Sequence, residues 1–221
     1  MFKYLFCISL VYKYKMYKPL VNKNVNMDDW QTGDLILFKH LDSCFGKMMK
    51  FFTGSEYTHV GIVLRDPTFT GDNLRGLFFW ESCDENYPDA EDHKKKVGVE
   101  IVDLGRLMQG VGKIQLFYRK LTLNKGFTID NTRLKEIHDT VHNKPYDIVP
   151  LDWIEAYLKF DPNPQKRDRF WCSALTGYIF VQLGLLPYNT DWSIMRPSDF
   201  STERKDFPLI NATLEKEVRI H

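Results

Sequence analysis

No two cysteines in this sequence are spaced as in the C-x-x-C pairs of zinc ribbons and redox sites. The four thiols are far apart in the chain, at Cys7, Cys44, Cys83 and Cys172. This spacing indicates neither a zinc ribbon nor a disulfide framework. We therefore expect reduced thiols and a cytoplasmic location.

The chain also lacks an excess of charge of either sign. Thirty Lys and Arg residues stand against 29 Asp and Glu residues, which gives a net charge of +1. This balance offers no general attraction for nucleic acid, so we predict no nucleic-acid partner.

A chain of 221 residues that is 43% hydrophobic is long enough to bury one sizeable core.

The N-terminal region lacks an apolar run long enough to span a bilayer. Its longest, Tyr4 to Tyr12, is too short and is followed by Lys13, Lys15 and Lys18. It is therefore either a signal or anchor that gives membrane contact, or an amphipathic or unstructured extension; alternatively, Met27 is the true start. We predict residues 1–26 to be an extension and residues 27–221 to be the folded domain.

Hydrophobic patterning predicts an α+β domain in which an antiparallel sheet packs against helices, including the one that carries a cysteine. A loop is expected at Tyr87–Lys96, which is charged and lacks apolar periodicity. The predicted strands are 34–38, 58–64, 77–80, 97–102 and 113–118. The predicted helices are 45–52, about 130–142 and 172–186.

Cys172 begins the most apolar of these helices. Unpaired N–H groups and the positive end of the helix dipole stabilise a thiolate at such a position. The alternative from this feature alone is a small buried hydrophobic residue. The histidines and acids elsewhere in the chain decide between these interpretations.

His59 lies in the strand Thr58–Leu64, where alternation places Val60, Ile62 and Leu64 on the opposite face. A thiol nucleophile requires an imidazole to accept its proton. Glu81 follows the next predicted strand and could orient that imidazole if the two strands are antiparallel neighbours. Cys83 is a rival nucleophile that lacks a helix start.

These residues occur within five motifs that appear in a fixed order. They are Gly33-Asp34-Leu35-Ile36, Thr58-His59-Val60-Gly61-Ile62, Trp80-Glu81, Pro145-Tyr146-Asp147 and Trp171-Cys172-Ser173, followed by Arg196-Pro197-Ser198-Asp199-Phe200. The sequence thereby resembles the circularly permuted, NlpC-type papain-like cysteine hydrolases, in particular the YiiX-like branch, which has poxvirus members and is related to the lecithin retinol acyltransferases. Ala174 stands where that family usually has glutamate.

The resemblance implies a permuted papain-like fold with Cys172 as nucleophile, His59 as base, Glu81 orienting the histidine and Tyr146 facing the site. It implies a thiol hydrolase, of the amidase or peptidase kind, acting on an amide, ester or thioester through an acyl-thioester intermediate. Two alternatives remain open. One is a lipid acyltransferase or phospholipase with the same triad, and the other is a non-catalytic binding or virion protein that retains the fold.

The sequence predicts no cofactor and no metal site. His40, Asp42 and Cys44 lie close together but lack a second cluster of ligands. His138 and His142 are four residues apart on a predicted helix, but no glutamate follows them in a zincin pattern. The oligomeric state is not indicated.

Overall fold

An antiparallel sheet of six strands forms the centre of the computed structural model, which describes residues 26–39, 55–71, 74–83, 87–112, 114–147 and 167–221. The strand order is β4-β3-β2-β1-β5-β8, and β6 pairs with β7 in a separate small sheet. The strands are β1 (Leu35–Lys39), β2 (Tyr57–Arg65), β3 (Leu77–Cys83), β4 (Gly98–Asp103), β5 (Gln115–Arg119), β6 (Leu121–Leu123), β7 (Ala212–Leu214) and β8 (Val218–Arg219).

Three α-helices lie within the described residues: α1 (Leu104–Gly110), α2 (Asn131–Val141) and α3 (Cys172–Gln182). The Asp103 carboxylate caps α1 by accepting from the N–H of Arg106 at 2.8 Å, and Asp130 caps α2 in the same way. Side-chain oxygens at these positions satisfy N–H groups that a helix leaves unpaired. Single 3₁₀ turns occur at Met27–Asp29, Thr68–Thr70, Trp192–Ile194 and Pro197–Phe200.

Each face of the large sheet buries a separate hydrophobic core. Helices α2 and α3 cover one face and form what we term the large core, to which β2 contributes Val60, Ile62 and Leu64. Helix α1 covers the other face and forms the small core, which includes Val63 and Phe79. This alternation along β2 is the one that the sequence predicts.

The buried carboxylate of Asp34 holds the entry to β1. It accepts hydrogen bonds from the Tyr118 hydroxyl at 2.6 Å and from the N–H groups of Gln31 at 2.7 Å and Leu121 at 2.8 Å. Burial raises the pKa of Asp34 above its ordinary value, against the opposing effect of these bonds. The Gly-Asp motif therefore stabilises the junction of β1, β5 and β6.

The α+β prediction is confirmed, as is the antiparallel pairing of β2 with β3. Two boundaries differ from the sequence prediction by three residues or more. Strand β3 continues beyond Trp80 to Cys83, because β4 pairs with it as far as Gly98, so Glu81 lies inside a strand. Helix α3 ends at Gln182, since Gly184 adopts a positive φ of 72° and the N–H groups of Leu185 and Leu186 turn back to the Phe180 carbonyl.

The sequence predicts an exposed loop at residues 87–96, but parts of this loop are buried. The carboxylate of Asp89 is buried and accepts from the N–H of Ile101 at 3.2 Å, and the side chain of Glu91 is only 9% exposed. The predicted helix 45–52 and residues 1–25 lie outside the described residues. Among the described helices, none has both the length and the apolar character needed to cross a membrane.

Candidate active site

The candidate site forms where β2 and β3 separate. Their pairing runs from Arg65↔Leu77 to Ile62↔Trp80. Beyond this point β2 continues beside β1, with His59 opposite Phe38, and β3 continues beside β4, with Glu81 opposite Glu100. A fork therefore opens in the middle of the sheet.

The start of α3 enters this fork from the large-core side. The hydroxyl of Ser82 on β3 donates to the carbonyl of Phe170 at 2.7 Å, and the side chain of Cys172 lies close enough to His59 on β2 to raise the pKa of that histidine. The segment that precedes α3 is thus attached to both arms of the fork. Strand alternation alone places His59 on the opposite face from α3, and the fork is what allows the two to meet.

His59 is held from three sides. Its Nε2 hydrogen-bonds to Oε2 of Glu81, which leaves Nδ1 for the thiol of Cys172. The edge of its ring contacts Phe38, with ring centroids 4.9 Å apart. Only 12% of the histidine side chain and 3% of the glutamate side chain are exposed, so the pair is shielded from water yet remains reachable from the site.

Burial on its own lowers the pKa of His59. The negative charges of Cys172 and Glu81, together with the hydrogen bonds to both, outweigh burial and raise the pKa of His59 to about 10. The charged form of the imidazole is therefore favoured at neutral pH. A charged imidazole beside a cysteine is the arrangement in which a nucleophilic thiol is activated.

The first turn of α3 has features that suit an anion. Its N-cap residue is Trp171, no side chain of the described residues caps the first N–H groups, and the first turn contains no acidic residue. The positive end of the helix dipole is therefore not offset by a carboxylate. Ten of the residues of α3 are buried, so the thiol lies on a rigid element.

Gly61, two residues from His59, does not leave space for a ligand. A Cβ placed there would lie 2.5 Å from the ring of Phe79 and 2.7 Å from the carbonyl oxygen of Trp80. The glycine instead allows β3 to approach β2 closely at the base of the fork. Its role is therefore to position the strand that carries Glu81.

The Pro-Tyr-Asp motif extends the sheet at the edge of β4. The N–H of Tyr146 donates to the carbonyl of Val97 at 3.1 Å, and the N–H of Asp147 donates to Phe170 at 3.2 Å. The half-buried Tyr146 side chain packs against the large core. The motif thus connects β4 to the segment before Cys172, while the role of the Tyr146 hydroxyl stays a prediction.

The Pro-Ser-Asp motif supports the helix start from the other side. The carbonyl of Met195, just before it, accepts from the Ser173 hydroxyl at 2.7 Å. The Asp199 carboxylate accepts from the N–H of Arg196 at 2.8 Å and closes the turn. Ala174, where the similar family has glutamate, is buried in the large core.

Two clusters within the described residues could hold a metal ion. Ligand atoms of His59, Glu81 and Cys83 lie within 4.8 Å of one another, and so do those of Glu91, His138 and His142. The first cluster places the rival thiol beside the candidate triad, on the carboxylate side of the imidazole. The second cluster was missed by the sequence analysis, because Glu91 precedes His138 by 47 residues. His40, Asp42 and Cys44 lie outside the described residues.

No family model matches this sequence, and no curated protein is similar to it. Among solved structures, the metalloprotein YiiX from Escherichia coli O157:H7 is similar, with 17% sequence identity and a TM-score of 0.44. The match covers 86% of this chain and 96% of that protein. A similarity of this size does not define a shared activity.

Proposed function

We propose that the protein is a cysteine hydrolase of the permuted papain-like kind, which cleaves an amide, ester or thioester bond. One observation supports this proposal above the others: Cys172 at a helix start lies beside His59 and raises its pKa, and His59 in turn bonds to the buried Glu81. A nucleophile, a base and a group that orients the base are the minimum that such chemistry requires.

In the acylation step the Cys172 thiolate attacks the substrate carbonyl carbon. A C–S bond forms, and the carbonyl π electrons move to the oxygen. The imidazolium of His59 then gives its proton to the leaving group as the carbonyl carbon–leaving group bond breaks, which yields an acyl thioester. Glu81 keeps the ring oriented and stabilises its positive charge throughout.

In the deacylation step water attacks the thioester carbonyl, and neutral His59 accepts a proton from it. The C–S bond then breaks and the thiolate is released. The oxyanion that forms in both steps lies near the first N–H groups of α3, which no side chain of the described residues caps. Donors of this kind, fixed before the reaction, are effective stabilisers of developing negative charge. Tyr146 would add a hydroxyl donor.

The test is an acylation assay on the full chain with acyl thioester, activated ester and anilide substrates. We expect a hydroxylamine-sensitive acyl adduct on the peptide that contains Cys172, detected by mass spectrometry, and its absence in Cys172→Ala. Cys83→Ser is the matched control, because this thiol lies beside the same histidine yet has no role in the mechanism.

Three outcomes separate the alternatives. Release of free acid by water supports the hydrolase. Transfer of the acyl group from phospholipid vesicles to an added amine or alcohol would assign a lipid acyltransferase instead. Formation of the adduct on Cys83, or turnover that persists in Cys172→Ala, would contradict the proposed nucleophile. The absence of any adduct with all substrates would favour a non-catalytic binding or virion protein.

A further inference from the structure

A second cluster of ligand-type side chains lies outside the candidate active site. Oε2 of Glu91 is 3.0 Å from Nε2 of His138 and 3.2 Å from Nδ1 of His142. The two histidine rings have centroids 4.6 Å apart. Two imidazole nitrogens thus converge on one carboxylate oxygen.

We propose that Glu91, His138 and His142 form a binding site for a divalent transition-metal ion of the zinc class. The site would fix loop 87–96 to the C-terminal end of α2. It is independent of the proposed hydrolase activity, because none of its residues takes part in that mechanism.

The separations fit such an ion. Zinc binds imidazole nitrogen and carboxylate oxygen at about 2.0–2.2 Å in a tetrahedral arrangement, which places neighbouring ligand atoms about 3.3–3.5 Å apart. The observed 3.0 Å and 3.2 Å lie only a few tenths of an ångström below this range. Two imidazoles and one carboxylate leave the fourth position to water, and the imidazoles favour zinc, copper or nickel over magnesium or calcium.

The backbone holds these ligands in place before any ion binds. His138 and His142 are one helical turn apart at the end of α2, so their side chains lie on the same face. The N–H of Glu91 donates to Oδ1 of Asp89 at 2.7 Å, and Oδ2 of Asp89 accepts from the N–H of Ile101 on β4. The side chains of His138 and Glu91 are only 8% and 9% exposed, and that of His142 is 31% exposed, which gives an ion access from one side.

The local charge also favours a cation. The ammonium group of Lys96, in the same loop, is paired with Asp89 and Asp92, each at 3.2 Å. A further carboxylate, Asp139, lies 3.7 Å from Nδ1 of His138 and adds negative charge near the cluster.

Zinc titration of the full chain after treatment with a chelator tests the proposal. We expect one zinc ion bound per chain, and a loss of affinity of more than about tenfold in both Glu91→Gln and His142→Ala. The glutamine variant preserves side-chain size and the half-exposed His142 tolerates truncation, so both variants should fold. His93→Asn is the matched control, since His93 lies in the same loop but is exposed and points to no ligand cluster.

Cobalt substitution distinguishes this site from the thiol-containing cluster of His59, Glu81 and Cys83. A tetrahedral cobalt spectrum without a sulfur-to-cobalt charge-transfer band supports the proposal. The proposed metal site also predicts that zinc raises the melting temperature of the wild-type protein and of His93→Asn, but not that of His142→Ala. No zinc binding, binding that survives both ligand variants, or binding that is lost only in Cys83→Ser would overturn it.

Discussion

Replacing Glu81 with glutamine tests whether the buried carboxylate keeps His59 charged. Glutamine keeps the size of the side chain and an oxygen that can accept from Nε2, but it removes the negative charge. An adjacent opposite charge moves a pKa by about 1–3. We therefore expect the pKa of His59 to fall from about 10 to between about 7 and 9, with the Cys172 thiolate accounting for what remains of the elevation.

NMR titration of the histidine Cε1–H signals measures this change directly, with His59→Ala providing the assignment. Cys172→Ser is a second informative variant, because it removes the other negative charge beside the ring and should also lower the pKa of His59. The reasoning would be refuted if the wild-type ring titrated near 6.5, or if Glu81→Gln left its titration unmoved.

The same pKa shift predicts how stability depends on pH. The pKa of His59 is raised by folding from an ordinary 6.5 to about 10, so the folded state binds the proton more tightly. The resulting contribution to the free energy of unfolding is fully present below pH 6.5 and is lost as the pH rises through about 10. In Glu81→Gln this loss should be complete at a lower pH, which denaturant midpoints measured from pH 6 to pH 10 can detect.

Three further predictions concern the thiol, the extension and the fork. Cys172 should react with iodoacetamide faster than any other thiol at neutral pH. If peptide mapping shows that Cys83 is labelled faster, Cys172 is not the nucleophile. Deleting residues 1–26 should remove little more than the Asn26 cap, about 1 kcal/mol, so a drop of many degrees in melting temperature would show that the extension packs on the domain. Gly61→Ala should destabilise the protein by about 1–3 kcal/mol in urea denaturation, because the new methyl group meets the Trp80 carbonyl; unchanged stability would contradict close approach at the fork.

The sequence was most informative where periodicity is strong. Alternation along β2 predicted which of its residues share a face and that His59 lies on the other one, and the spacing of Leu134, Ile137 and Val141 predicted the buried face of α2. Helix α1 and strands β6–β8 were not predicted. Each has seven residues or fewer, which is too short for the hydrophobic period of a helix or of a strand to be recognised. Their positions depend on contacts with the sheet.

The fork and the metal-type cluster depend on contacts between distant segments. Nothing local to Trp80 indicates that its strand stops pairing with β2 there, because the change of partner depends on β4, which pairs with β3 as far as Cys83. Likewise, the charged loop that carries Glu91 has no apolar pattern, and its burial depends on Asp89 reaching the N–H of Ile101. Such arrangements are set by tertiary packing, which residue spacing does not encode.

The hydrogen bond from Ser82 to the Phe170 carbonyl joins residues 88 positions apart in the chain. Contacts of such high sequence separation are costly in chain entropy and form late on the folding pathway. A nascent chain carries His59 and Glu81 long before Cys172 leaves the ribosome, and α3 has no fork to enter until β3 and β4 have paired. Cys172 therefore comes beside His59 only in the finished domain, so a partly folded chain does not yet hold the arrangement on which the proposed activity depends.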